Sequence, residues 1–343
     1  MDELQLLRDM RKDTPIVKDA VFDGGRQQLL QRIDPRAKGK VRRRTKALRI
    51  SLASVATLGL ATALVATNVV GLAGWRGAST AEAAEVLNQA AEMAIKTSDP
   101  VVGPGQYLKI DSTNLWLTRS SAHYPPDGVG AHGEVDWLDT EKMSMYVPAD
   151  RDQEWVWERS GRIPTTFFSE EAKEVAMSQK EEMGDTSELL RGNRGAFYDS
   201  VSSFPDEKEL AAYSRDPRML LNSIYLKTAG KGQSVDGEAL VFIADFLRTG
   251  LVPADLRAAL YKAAAMIPGV TVTESQATLD GQTGVAIGRV EDVSQFRQDI
   301  IIDPATGQLI GEREVALTDR GSIPAGTTIG WTTIRTSVVD SAP

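Results

Sequence analysis

A long uncharged segment is the feature that most constrains how this chain folds. The 26 residues from Ile50 to Trp75 contain no charged side chain. A membrane-spanning helix needs about 20 apolar residues, and 26 helical residues would measure about 39 Å against about 30 Å of bilayer hydrocarbon. The alternative is a cleaved signal peptide with Ala81-Glu82-Ala83 as its cleavage site, but such a peptide has an apolar region of only about 7–15 residues near the N terminus. We therefore predict a single transmembrane helix at residues 50–75.

The charges on the two sides of this segment predict its orientation. Eight Lys and Arg side chains lie from Arg36 to Arg49, whereas the other side begins with Arg76, Glu82 and Glu85. Cytoplasmic flanks of membrane helices carry an excess of Lys and Arg. We expect the N terminus in the cytoplasm, the bilayer as a partner, and residues 76–343 as an extracytoplasmic domain at the cell membrane.

Net charge divides the chain at the same segment. Residues 1–49 carry 14 Lys and Arg against 7 Asp and Glu, a net charge of +7, and residues 50–343 carry 25 against 40, a net charge of −15. A head of about 50 residues without Cys or His rarely sustains its own core, so we expect it to order against a cytoplasmic protein partner or the membrane surface. Topology and anionic lipid explain the basic run, and we predict no nucleic-acid partner.

Small residues recur every four positions within the predicted span, at Gly59, Ala63, Thr67 and Gly71. Such a face lets two helix backbones approach closely in a membrane. A stretch this rich in Ala and Gly produces the pattern by chance as well, so the oligomeric state stays open.

Residues 76–343 show the pattern of an α+β domain. Apolar residues at helical spacing predict a helix from Ala81 to Ile95, and strands are predicted from Gly105 onward. Further strands are predicted at residues 115–117, 142–147, 154–158 and 329–339, and further helices after Asp206, Asp236 and Pro253. Hairpin turns are predicted at Asp280-Gly281 and at residues 303–307. This order predicts an α+β domain with an antiparallel sheet and covering helices.

The residue types that carry most enzyme chemistry are scarce. Cysteine is absent, and the two histidines, His123 and His132, lie in a Pro- and Gly-rich stretch with Asp127, Glu134 and Asp136. A solvated loop accounts for this group, and its spacing matches no metal template, so we predict no metal, with His123 and His132 as the weaker candidates. No Gly-x-Ser-x-Gly elbow and no phosphate-binding loop occurs. We predict no cofactor and no enzyme activity, with an exported hydrolase as the alternative.

Three tryptophans are the predicted ligand site. Trp155 and Trp157 share one face of a strand because side chains alternate with period two. With Trp116 they would line an apolar groove for a lipid or an envelope peptide, covered by the helix at residues 81–95. Packing of the same side chains in the core is the alternative.

Several segments resemble an uncharacterised actinobacterial family of single-pass membrane proteins of unknown function. The resemblance rests on Asp2-Glu3-Leu4, the anchor, residues 84–91, Gly105-Gln106-Tyr107-Leu108, residues 256–261, Ile267-Pro268-Gly269-Val270 and residues 302–307. The order of head, anchor and exported domain is also similar, more distantly, to membrane anti-sigma factors with a lipoprotein-carrier-like sensor domain. This resemblance implies a curved, half-barrel-like antiparallel sheet covered by helices. It also implies a binding or sensing protein of the cell envelope, although the head lacks the His and Cys ligands of zinc-binding anti-sigma heads.

Overall fold

The structure is a computed structural model, and it describes residues 77–97, 99–120, 134–199, 202 and 204–343. The basic head, the predicted span at residues 50–75, and His123 and His132 lie outside these residues. Within the described residues, no helix is long and apolar enough to cross a membrane. The topology inferred from the charges therefore stays a prediction.

Ten strands in the described residues form one antiparallel sheet. They are β1 (Tyr107–Ser120), β2 (Val135–Pro148), β3 (Glu154–Arg159), β4 (Ile163–Phe167), β5 (Glu188–Asn193), β6 (Thr271–Leu279), β7 (Gln282–Glu291), β8 (Phe296–Asp303), β9 (Gln308–Ala316) and β10 (Thr328–Val339). Their order is β5-β3-β2-β1-β10-β9-β8-β7-β6, and β4 pairs with another part of β2. The last strand thus lies in the middle of the sheet and joins its two halves.

Helices complete the α+β fold that the sequence predicts. They are α1 (Ala81–Lys96), α2 (Glu170–Met183), α3 (Glu207–Ala212), α4 (Pro217–Lys227), α5 (Val235–Leu247) and α6 (Ala254–Ala264). The predicted cap at Asp206 is confirmed, because its side chain accepts a hydrogen bond from the backbone N–H of Glu209 at 2.6 Å. The prediction that a helix begins after Asp236 is wrong, because α5 begins at Val235. Ser234 caps α5, and Asp236 is buried within it, where it accepts a hydrogen bond from the Tyr225 hydroxyl at 2.8 Å.

Both predicted hairpin turns are present. Asp280 and Gly281 have φ angles of 46° and 75°, which is the left-handed backbone that a two-residue hairpin turn requires. This turn lies against β10, where the Arg335 guanidinium Nη2 donates to the Asp280 carbonyl at 3.2 Å. The turn joins β6 and β7, and β8 and β9 lie between β7 and β10 in the sheet. Contact between this turn and β10 therefore shows that the sheet is strongly curved.

The main core lies between α1, α4, α5 and α6 and one face of the sheet. In α1, the small side chains of Ala83, Ala90, Ala91 and Ala94 are fully buried. We expected this helix to lie on the tryptophan-bearing strands, which is wrong, because α1 packs mainly against α6. Leu87 is the fifth buried residue of α1, and the four alanines around it allow the two helix backbones to approach closely.

Candidate functional site

The three predicted groove residues point to the same face of the sheet but do not form one site. Trp116 of β1 lies opposite Asp139 of β2, whereas Trp157 of β3 lies opposite Met145 of the same strand. Six residues of extended strand separate these two positions, which is about 20 Å. The structure therefore brings Trp155 and Trp157 together and leaves Trp116 apart.

Trp155 and Trp157 belong to an aromatic cluster. The centroid of the Trp157 ring lies 5.2 Å from that of Phe197, and the centroid of the Trp155 ring lies 5.8 Å from that of Phe204. Trp155 is 3% exposed. Phe197 and Phe204 therefore pack against the two indole rings. Aromatic pairs at these separations are stabilising.

Trp116 has different surroundings. The guanidinium carbon of Arg162 lies 5.4 Å from the centroid of its ring, which is a cation–π distance. Its indole N–H is buried and has no hydrogen-bond partner in the described part of the chain. A buried unpaired donor costs free energy, so this position is not explained by packing alone.

A cavity of about 820 Å³ lies next to the aromatic cluster. It opens where β1 begins and where β2 and β10 end, beneath α3 and the loop of residues 248–253 between α5 and α6. Its apolar lining includes Leu108, Val147, Leu210, Leu247, Leu251, Val252, Leu309 and Ile334. None of the predicted tryptophans is among the described residues that line it.

Trp155 is nevertheless linked to this cavity in two ways. It packs in one cluster with Leu108, Val147 and Leu251, which form part of the cavity wall. Its indole N–H also donates to the backbone carbonyl of Arg151 at 2.9 Å, and Arg151 lines the cavity. Trp155 therefore supports the wall and positions the turn between β2 and β3.

Several charged residues line the cavity, and the deepest pair is neutralised. Arg257 is 7% exposed, and its Nη2 donates to the Asp99 Oδ1 at 2.9 Å while its Nη1 donates to the Val252 carbonyl at 2.9 Å. The other oxygen of Asp99 accepts from the backbone N–H of Ala254 at 2.6 Å, at the start of α6. This ion pair fixes the N terminus of α6 to the segment before β1.

The hydroxyl of Thr306 in the cavity lining has a structural role. It donates to the Asp303 carboxylate at 2.8 Å, and the same carboxylate accepts from the backbone N–H of Ala305, so both side chains stabilise the turn between β8 and β9. Among the described residues, no group of three or more His, Asp or Glu side chains could hold a metal ion.

A buried carboxylate lies beside the loop that covers the cavity. Glu312 of β9 is 8% exposed, and its Oε1 lies 3.2 Å from the Arg248 Nε, at the start of that loop. Burial raises the pKa of Glu312 to about 7, although Arg248 acts in the opposite direction; Asp245 and Glu314 raise the pKa further. Gln298 stabilises the charged form, because its amide Nε2 donates to the Glu312 Oε2 at 3.0 Å.

Sequence reasoning missed the cavity because its walls come from segments that are distant in the chain. Residues 99–108, 147–151, 207–215, 247–257, 303–310 and 334–336 all contribute. The one local signal was the Pro253 helix start, which fixes where the covering loop ends and α6 begins.

Comparisons with known proteins provide no family. Neither a scan against protein-family models nor a search of curated proteins found a match. Among solved structures, this chain is similar to one chain of "The complex structure of Pseudomonas aeruginosa MucA/MucB". The sequence identity is 10% and the TM-score is 0.27. The similarity covers 77% of this chain and 59% of the length of that chain. A TM-score this low shows neither a shared fold nor a shared function, and the family resemblance noted in the sequence stays a prediction.

Proposed function

We propose that this chain is a membrane-anchored extracytoplasmic protein that binds an apolar ligand and reports its presence to the cytoplasmic head. The observation that carries the proposal is the cavity of about 820 Å³ with its wall of Leu, Val and Ile side chains. Concave, largely apolar sites of about 300–1,000 Å³ are typical of small-molecule binding. The absence of an oriented nucleophile and base among the described lining residues favours binding over the alternative of an exported hydrolase.

The anchored location is supported by the sequence. The 26 uncharged residues at positions 50–75 are long enough to span a bilayer, and the Lys and Arg excess lies on the N-terminal side. A domain outside and a basic head inside have the arrangement of a transmembrane signalling protein. We propose that the head binds a cytoplasmic protein, in the manner of an anti-sigma factor.

The ligand-binding part can be tested by photolabelling. The full chain in nanodiscs of zwitterionic lipid is irradiated with a ten-carbon alkanol that carries a diazirine in its chain, and the labelled peptides are identified by mass spectrometry. We expect labelling of peptides that include Leu108, Val147 or Leu251, because these side chains form the cavity wall.

Two alanines of α3 offer a matched pair of variants for this experiment. Ala211 and Ala212 are both exposed, but only Ala211 lines the cavity. We expect Ala211→Trp to fill the opening and reduce cavity labelling severalfold, whereas Ala212→Trp leaves labelling unchanged. Equal labelling of both variants, or no labelling of the wall, would refute apolar-ligand binding in this cavity.

The orientation has its own test. Alkaline phosphatase, which is active only outside the cytoplasm, is fused after residue 100. We expect an active fusion, because the Lys and Arg excess at residues 36–49 retains the N terminus inside. An inactive fusion would contradict the proposed location, whatever the cavity binds.

A further inference from the structure

The chemistry of the ligand can be inferred from the charges that remain available in the cavity. Most of the charged side chains that line it already have partners. Arg257 pairs with Asp99, and Arg215 pairs with Asp255 with its Nε 2.8 Å from the Asp255 Oδ2. The Arg215 Nη1 also donates to the backbone carbonyls of Leu210 and Tyr213. A ligand could engage these two guanidinium groups only by breaking existing bonds.

Two arginines of the lining remain available. Within the described part of the chain, Arg151 has one loose ion pair, in which its Nε lies 3.9 Å from the Oε1 of Glu207, and the Glu207 side chain is 76% exposed. Arg335 is exposed and pairs with Asp111 in the register of β1 and β10, on the face of the sheet opposite to Leu108 and Val147. Its guanidinium Nη2 donates to the carbonyl of Asp280, and no ion pair of Arg335 occurs among the described residues. A pair as exposed as that of Arg151 and Glu207 contributes little free energy. Both guanidinium groups are therefore able to bind an acidic group of a ligand.

The available negative charge is smaller. The carboxylates of Asp99 and Asp303 accept hydrogen bonds from groups of the chain itself, which leaves Glu207 as the lining carboxylate with a weak partner. Two available cations against one available anion favour an anionic ligand over a cationic one. Guanidinium groups also match carboxylate and phosphate in shape, because they donate two parallel hydrogen bonds.

We propose, on the basis of the binding function proposed above, that the ligand is an anionic amphiphile whose acyl chain lies against Leu108, Val147 and Leu251. Its acidic head binds Arg151, or reaches Arg335 past the edge of β10 that β9 leaves unpaired after Thr333. The shared chemistry is one apolar chain with a carboxylate or a phosphate at its end. The head stays at the rim, in contact with water, and the chain is buried beside the aromatic cluster. This arrangement avoids an unpaired charge in the apolar part of the cavity.

The test compares head groups on one chain. The full chain in zwitterionic nanodiscs is photolabelled with three ten-carbon diazirine probes that differ only in their ends: a carboxylate, an alcohol and a trimethylammonium. We expect the carboxylate to label the cavity wall at about five- to tenfold lower concentration than the other two. A second arm uses nanodiscs that contain diazirine-labelled phosphatidylglycerol or phosphatidylcholine, and distinguishes a membrane phospholipid from a free fatty acid as the source.

Three single variants complete the test. Arg151→Gln and Arg335→Gln remove the available cations one at a time, and Arg218→Gln removes an exposed arginine of α4 that does not line the cavity. We expect one of the first two to abolish the preference for the carboxylate without reducing alcohol labelling, and Arg218→Gln to change neither. Unfolding curves of all variants establish that they fold.

The outcomes separate this inference from the function on which it rests. Equal labelling of the cavity by all three probes, or a carboxylate preference that survives both variants, overturns the anionic head and leaves apolar binding intact. Absence of labelling by every probe overturns both.

Discussion

The buried carboxylate of Glu312 predicts how the stability of the domain depends on pH. Burial raises its pKa from the ordinary glutamate value of 4.5 to about 7 in the folded domain. Between these two pH values the folded state retains a proton that the unfolded state has lost. The free energy of unfolding therefore falls as pH rises from about 4.5 to about 7, and the contribution of Glu312 is fully present only below this window.

The magnitude follows from the size of the shift. A difference of about 2.5 pKa units corresponds to about 3 kcal/mol, since one unit is about 1.4 kcal/mol. Little discount for solvent applies because the Glu312 side chain is only 11% exposed. The perturbation is Glu312→Gln, which keeps the shape and the contact with Gln298 but cannot titrate. We compare the free energies of unfolding of the wild type and the variant. The wild-type value minus the variant value should fall by about 3 kcal/mol from pH 4.5 to pH 7.5.

Urea unfolding of residues 76–343, followed by circular dichroism across this pH range, measures that difference. Subtracting the variant curve removes the contribution of titratable groups that do not interact with Glu312. Glu170→Gln, whose side chain is 78% exposed on α2, is the matched control for the change from carboxylate to amide. A difference between wild type and Glu312→Gln that stays constant with pH within about 0.5 kcal/mol would refute the reasoning.

Three further predictions concern stability and the cavity wall. Gly307→Ala should destabilise the domain by about 1–3 kcal/mol in urea unfolding, because Gly307 has a φ of 69° and a Cβ there would lie 2.3 Å from the Ala90 carbonyl oxygen of α1. Asp299→Asn should cost about 3–5 kcal/mol by the same assay, since this fully buried carboxylate accepts hydrogen bonds from Arg297 and Arg313. Trp155→Phe should reduce the free energy of unfolding by about 1 kcal/mol, because the hydrogen bond to the Arg151 carbonyl is lost. The same variant should weaken photolabelling by the carboxylate probe, whereas Trp157→Phe should leave this labelling unchanged.

Local chemistry explains which elements were predictable. The turn at Asp280 and Gly281 follows from a dipeptide that tolerates positive φ, and α6 is bounded by Pro253 at its start and by Pro268 and Gly269 after its end. The shared face of Trp155 and Trp157 follows from the pleat of a strand. Each of these features depends on residues within a few positions of one another.

The missed elements depend on contacts that are distant in sequence. α2 was not predicted because it buries only Ala172, Val175 and Ala176, and so shows little apolar periodicity. Strand order was not predictable either, since β10 inserts between β1 and β9 across more than 200 residues of chain. The sequence does not show that Trp116 lies about 20 Å from the other two tryptophans along the sheet, because that distance depends on the pairing of β1, β2 and β3.

The way the chain joins the domain has a mechanical consequence. The Ser79 hydroxyl donates to the Ala265 carbonyl at 2.6 Å, and the Thr80 N–H donates to the Val270 carbonyl at 2.9 Å, so the segment before α1 is held just beyond the C-terminal end of α6. A pull on this segment, such as an anchor would transmit, acts on the C-terminal end of α6 and on the start of the edge strand β6, because Val270 directly precedes β6. The share of the load that reaches α6 passes along a helix about 16 Å long, whose N-terminal end lies at the cavity.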